Sequence, residues 1–139
     1  NGKVTGVGTG TTNITVITSN GKSAACKVTV VRQTPSVNYS THVQDIGWQG
    51  IKYDGEEAGT SGQSKRLEAI RIKLTGEMAK QYDIYYRVHS QEFGWLGWAK
   101  NGESAGTEGY SYRLEAIQIQ LVKKGSSAPG STSNCFYKR

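Results

Sequence analysis

A chain of 139 residues with 35% hydrophobic content has room for one domain or two small ones. Gly is plentiful at 18 and Pro scarce at 2, which with abundant Ser and Thr favours strands and turns over helices. The net charge of +6 is diffuse: Lys3, Lys22, Lys27 and Arg32 stand without an acid in residues 1–33, and thirteen basic against eleven acidic residues follow. No dense Lys/Arg stripe exists to track phosphates, so nucleic acid is not expected as a partner. No apolar run approaches the roughly 18 residues of a membrane span and no signal peptide is present, so membrane insertion is not expected either. The only methionine is Met78 and the chain starts mid-pattern at Asn1, so we read it as a piece of a longer protein.

In chain order, Lys3–Val7 reads as a short strand, and Thr12–Thr18 as a second with Ile14 and Val16 on one face. Ser19-Asn20-Gly21-Lys22 supplies an Asn-Gly hairpin turn, and Ser23–Val31 returns with Ala24, Cys26, Val28 and Val30 inward. Cys26 is expected as a small buried hydrophobe and Cys135 as a free thiol in the tail; neither has metal spacing. The glycines at 6, 8 and 10 precede a strand, so no helix N-terminus is there to hold phosphate. A hairpin plus one strand buries too little to form a core alone. The run VTGVGTGTTNITV, its turn and ACKVTVV resemble the final third of a group-2 bacterial immunoglobulin-like domain, a β-sandwich strung along bacterial surface proteins. That resemblance implies that residues 1–33 are a partial sandwich whose earlier strands come from another fragment or chain.

From Val37 the grammar changes. Residues 37–76 set over 84–123 without a gap give twenty identities in forty positions, a duplication with a 47-residue period. Each unit opens on an alternating strand, Val37, Tyr39, Thr41 and Val43 or Ile84, Tyr86, Val88 and Ser90. Asp54-Gly55 and Asn101-Gly102 are hairpin turn dipeptides, which makes Gly55 and Gly102 structural. RLEAIRIKL and RLEAIQIQL close the units; helix propensity would accept LEAI, but the period-2 ending and flanking glycines argue for strand. Then GSSAPGSTSN is a connector, and residues 135–139 read as a truncated restart that closes the sheet of the preceding unit. The expected fold is all-β: a sandwich remnant at 1–33, then tandem antiparallel repeats over 34–139, with 124–139 as the closing segment.

Catalytic residues are not found. Glu68 and Glu115 occur once per unit rather than as a facing pair, and each shares a strand face with Arg66 or Arg113. A Glu there needs a partner, either that Arg or the backbone N–H groups of the Gly59–Gly62 loop. His42 and His89 lie opposite the apolar phase and read as surface or loop-bonding imidazoles. Asp54, Glu56 and Glu57 form an acidic cluster whose counterpart, Asn101, Glu103 and Ser104, is poorer in charge, so no metal and no cofactor is expected. The aromatics remain. Trp98 stands where the first unit has Ile51, which marks an inward, structural position. Trp48 and Trp95 recur behind a Gly and are open to either packing or ligand contact, with Tyr53, Tyr85, Tyr110 and Tyr112 adding flat amphipathic surface. The candidate ligand residues are therefore Trp48, Tyr53, Trp95, Tyr110 and Tyr112.

The stretches GWQG…DGEEAGTSGQSKRLEAIRIKL and GWLGW…NGESAGTEGYSYRLEAIQIQL resemble clostridial hydrophobic W repeats, over about residues 37–123. The resemblance implies a secreted or surface-exposed, non-catalytic module of Gram-positive anaerobes, often beside enzymatic or adhesion modules. Its implied partner is an extracellular glycan or cell-wall polysaccharide, or alternatively a host or surface protein. A role as accessory part of a secreted polysaccharide-degrading enzyme ranks third.

Overall fold

The computed structural model describes residues 3–31 and 34–139. The chain divides into two compact units, one up to Thr34 and one from Pro35 to Arg139. The sequence boundary at residue 33 and the first two residues lie outside the described residues.

In the first unit, β1 (Gly10–Ile17) and β2 (Ser23–Val30) form an antiparallel hairpin. The Thr18 N–H donates to Lys22 O, so the loop is Ser19-Asn20-Gly21, one residue longer than the expected two-residue turn. Gly21 takes φ +79°, the left-handed residue that three-residue hairpin loops use. Lys3–Val7, expected as a strand, carries no ladder. Cys26 is exposed, against expectation, although Ile14, Val28 and Val30 on its face are half-covered. Alternation put it on the apolar face, but among the described residues of this unit no second layer buries that face.

The second unit is built from β3 (Val37–Val43), β4 (Gly47–Trp48), β5 (Lys52–Tyr53) and β6 (Leu67–Leu74), the short helix α1 (Gly76–Gln81), then β7 (Tyr82–Ser90), β8 (Gly94–Trp95), β9 (Ala99–Lys100), β10 (Ala105–Glu108), β11 (Leu114–Lys123) and β12 (Phe136–Lys138). One sheet runs β12-β10-β6-β3-β4 with β5 also on β3; the other runs β11-β7-β8 with β9 on β7. The LEAI segments are strands, as their period-2 endings predict. β3–β6 and β7–β11 are antiparallel, and Tyr39 faces Ile72 as Tyr86 faces Ile119. The two sheets share one core, where Ile72 and Leu74 of β6 meet Ile84, Tyr86 and Val88 of β7, with Leu96, Ala99 and Ala105 around them. Burial pushes the Tyr86 hydroxyl up to about 12. That hydroxyl donates to Glu103 O, as the Tyr39 hydroxyl does to Glu56 O.

Three features depart from the sequence reading. Helix α1 was not expected; Glu77 and Lys80 pair across it at 2.7 Å, and Met78 and Ala79 lean on the core. Tyr85 is buried beneath Lys100 rather than adding surface. β12 does not close the sheet of β7 and β11, nor act as the opening strand of a unit. It lies parallel to β10, Gly106 opposite Phe136, and caps the sheet that carries β3 and β6.

The turn dipeptides anchor the strand starts. Asp54 accepts the Ser36 and Val37 N–H groups, and Asn101 Oδ1 accepts that of Ile84. Asn101 Nδ2 also donates to buried Asp83, which accepts the Gly125 N–H and sits 3.0 Å from Lys124 and 3.5 Å from Lys100. These bonds, led by Asn101, hold its carboxyl well below the usual carboxylate range against the opposing effect of burial.

Candidate functional site

β4 and β8 each place an indole across from the histidine of the neighbouring strand: Trp48 opposite His42, Trp95 opposite His89. In both, the imidazole meets the indole edge to face, with ring centres 5.5 and 5.4 Å apart. A carboxylate holds each histidine from behind. Glu115 Oε2 lies 3.1 Å from His89 Nδ1, and Arg113 holds its other oxygen at 2.8 Å. Glu68 is bound by Arg66 at 3.1 Å, one of the two partners foreseen for it. It lies 3.2 Å from His42 Nδ1, but the two make no hydrogen bond. Arg66 and Arg113 thus pair with Glu68 and Glu115, and the histidines, expected as surface or loop-bonding groups, lie between these carboxylates and the indoles.

The two indoles are not equivalent. Arg71 lies 3.8 Å over the Trp48 ring, and Trp48 Nε1 donates to Glu108 Oε2 at 3.4 Å. Lys138 binds the same carboxylate at 2.8 Å and, as the main cause, holds it below its ordinary value. Trp48 is thus half-buried, with one face occupied. Trp95 remains 42% exposed, and Arg87 stands between it and Trp98, at 4.9 and 5.0 Å from the two ring centres.

A cleft of about 460 Å³ opens here, walled by Trp95, Trp98, Arg87 and Phe93 on one side and by Ser131, Ser133 and Asn134 of the tail on the other. The tail is stitched down by the Trp98 N–H to Ser131 O at 2.9 Å and the Gly97 N–H to Asn134 O at 3.3 Å. A Cβ at Gly97 would fall 1.9 Å from Ser133 O, so the approach requires glycine. The tail explains the exchange of Trp98 for Ile51. Trp98 is 8% exposed beneath the tail, whereas Ile51 has no such cover and is 57% exposed. The expectation of an inward position holds for Trp98 and fails for Ile51.

Tyr110 and Tyr112 pack edge-on against Phe93, which stacks on Tyr137 at 4.7 Å. Phe93 and Tyr137 line the cleft; Tyr110 and Tyr112 stand behind them. Tyr53 is exposed but lines neither this cleft nor the smaller one of about 280 Å³ beside Trp48, Ile51 and Arg71. Sequence reasoning missed Arg87, Phe93, Tyr137 and the tail serines. The unmatched Trp98 was their signal, since a large indole without a twin calls for a cover without a twin. Two residues of the acidic cluster have backbone partners: Asp54 caps β3, and Glu56 Oε2 accepts the Tyr53 N–H at 2.7 Å. Among the described residues no group of three or more His, Cys, Asp or Glu side chains is placed to hold a metal ion. Cys26 and Cys135 are both free thiols, and burial raises that of Cys135.

No curated protein and no solved structure matches the chain. The sequence pattern of the family described as clostridial hydrophobic W matches twice, at residues 42–76 and 89–123, each match spanning a Gly-Trp step and the long strand after it. These matches cover half of the chain, which therefore belongs to the clostridial hydrophobic W family as a β-rich, non-catalytic module.

Proposed function

We propose that the chain is a surface-associated attachment module that binds an extracellular glycan or cell-wall polysaccharide in the cleft beside Trp95. Trp95 carries the reading: a half-exposed indole walls an open cleft that also offers a guanidinium, two serines and an amide. Sugars present a C–H face and a rim of hydroxyls, which suit an aromatic platform flanked by convergent polar groups. Trp48 is the secondary contact, because Arg71 occupies one of its faces. Residues 37–76 and 84–123 act as two units of one repeat, and the first 33 residues as the end of an immunoglobulin-like sandwich whose open apolar face, with Val4 and Val7 exposed, awaits further strands. Secretion to a Gram-positive surface fits these assignments.

Titration of the intrinsic tryptophan fluorescence with soluble cell-wall polysaccharides tests the proposal. Binding quenches or shifts the emission, Trp95→Ala weakens it about tenfold or more, and Trp48→Ala weakens it less. A silent titration across the panel, beside capture of a purified surface protein that Trp95→Ala abolishes, would replace the glycan reading with protein adhesion.

A further inference from the structure

β6 and β11 carry the same core, Leu-Glu-Ala-Ile-x-Ile-x-Leu, 47 residues apart, and pair with β3 and β7 in the same register. Their surroundings differ. On β6, Ile72 and Leu74 are 5% and 6% exposed, because β7 covers their face and β10 pairs with the outer edge, Ala105 opposite Ile70 and Gly106 opposite Ala69. On β11, Ile117, Ile119 and Leu121 are 43%, 54% and 44% exposed, and the outer edge has no partner among the described residues. A ten-residue strand with a bare edge and three aligned apolar side chains is a pattern that soluble proteins cover or charge.

The elements that cover β6 have counterparts 47 residues earlier: β3 for β7, and residues 58–60 for β10. Residues 58–60 are half-buried, whereas Ala105, Gly106 and Thr107 are fully buried. Gly59, at φ +113°, has nearly the φ of Gly106, at +121°. A Cβ at Gly106 would meet Glu68 O at 2.4 Å; one at Gly59 would meet nothing nearer than 4.0 Å. The other edge of each segment is satisfied. The Gly106 N–H donates to Cys135 O of the tail, and the Gly59 N–H to Gln49 Oε1. Residues 58–60 thus stand at the repeat position of β10 without a strand paired to them.

We propose that a second copy of this chain docks on β11, adding its residues 58–60 to the bare edge and laying its β3 over Ile117, Ile119 and Leu121. The two faces differ, so the contact is heterologous and propagates head to tail. The inference rests on the two-unit reading and not on the identity of the ligand.

Sedimentation velocity over a concentration series tests it. The full chain forms dimers and then longer species. Ile119→Arg and Ala58→Arg each stay monomeric, and an equimolar mixture of the two forms a dimer that grows no further, because one good face remains on each. Thr60→Arg replaces Ala58→Arg if the latter lowers the melting temperature. A chain that is monomeric at its highest soluble concentration overturns the proposal. So does loss of assembly in Ile119→Arg alone with no rescue in the mixture, which marks symmetric β11–β11 pairing. The two-unit reading has its own readout in the melting curves of Gly106→Ala and Gly59→Ala, so the two failures are distinguishable.

Discussion

Gly106→Ala places a methyl group where β10 crosses closest to β6. The new Cβ would lie 2.4 Å from Glu68 O and 2.8 Å from Ala69 Cα, both backbone atoms that no rotamer change can move. The residue also sits at φ +121°, where an L side chain is strained. Backbone strain there costs about 1–3 kcal/mol. Forced separation of two packed strands costs about 1–3 kcal/mol more. The sum, about 2–6 kcal/mol, lowers the melting temperature of a unit this size by roughly 10 °C or more. Gly59→Ala is the control. Its φ of +113° incurs the same strain, but only Leu67 Cδ1, at 4.0 Å, lies near the added Cβ. Circular dichroism melts of the two variants therefore separate strain from close approach, with Gly106→Ala the more damaging. Equal losses in both would refute the claim that β10 is seated against β6 through a contact only glycine permits.

Asp83 makes stability depend on pH. Its native carboxyl is held below its unfolded value of about 3.9, so its contribution is complete above that pH and is lost as pH falls below about 4 toward the depressed native value. Asp83→Asn leaves Lys100 and Lys124 without their carboxylate; the melting temperature at neutral pH drops and the acid-side decline becomes shallower, and an unchanged acid slope would contradict this. Removing residues 134–139 takes away β12 and the Tyr137 ring stacked on Phe93, which bares the β10 edge. A lower melting temperature or aggregation is expected, and an unaltered melting curve would show that the tail does not cap the sheet.

Strand positions were legible because alternation is a local property, and the inward set Ile84, Tyr86, Val88 and Ser90 is buried as read. Burial of otherwise identical strands was not legible. Ile72 and Ile119 hold the same place in the shared Leu-Glu-Ala-Ile-x-Ile-x-Leu pattern, but β7 and β10 cover only the first, and that asymmetry belongs to tertiary placement. Cys26 and Ile51 fail for the same reason, since each has the right phase and nothing packed on it. At the candidate site the indoles were visible from their recurrence. Arg87 and the tail were not, because a guanidinium between two rings and a chain crossing Gly97 leave no periodic trace. Helix α1, at six residues, is too short to show a helical period.

The central claim, ligand contact at Trp95, is most directly tested by following the indole N–H signals of Trp48, Trp95 and Trp98 by two-dimensional NMR during polysaccharide titration, each assigned by substitution. The account predicts that the Trp95 signal moves first and furthest, Trp98 follows through Arg87, and Trp48 moves least. Saturable binding that leaves the Trp95 signal in place would contradict it.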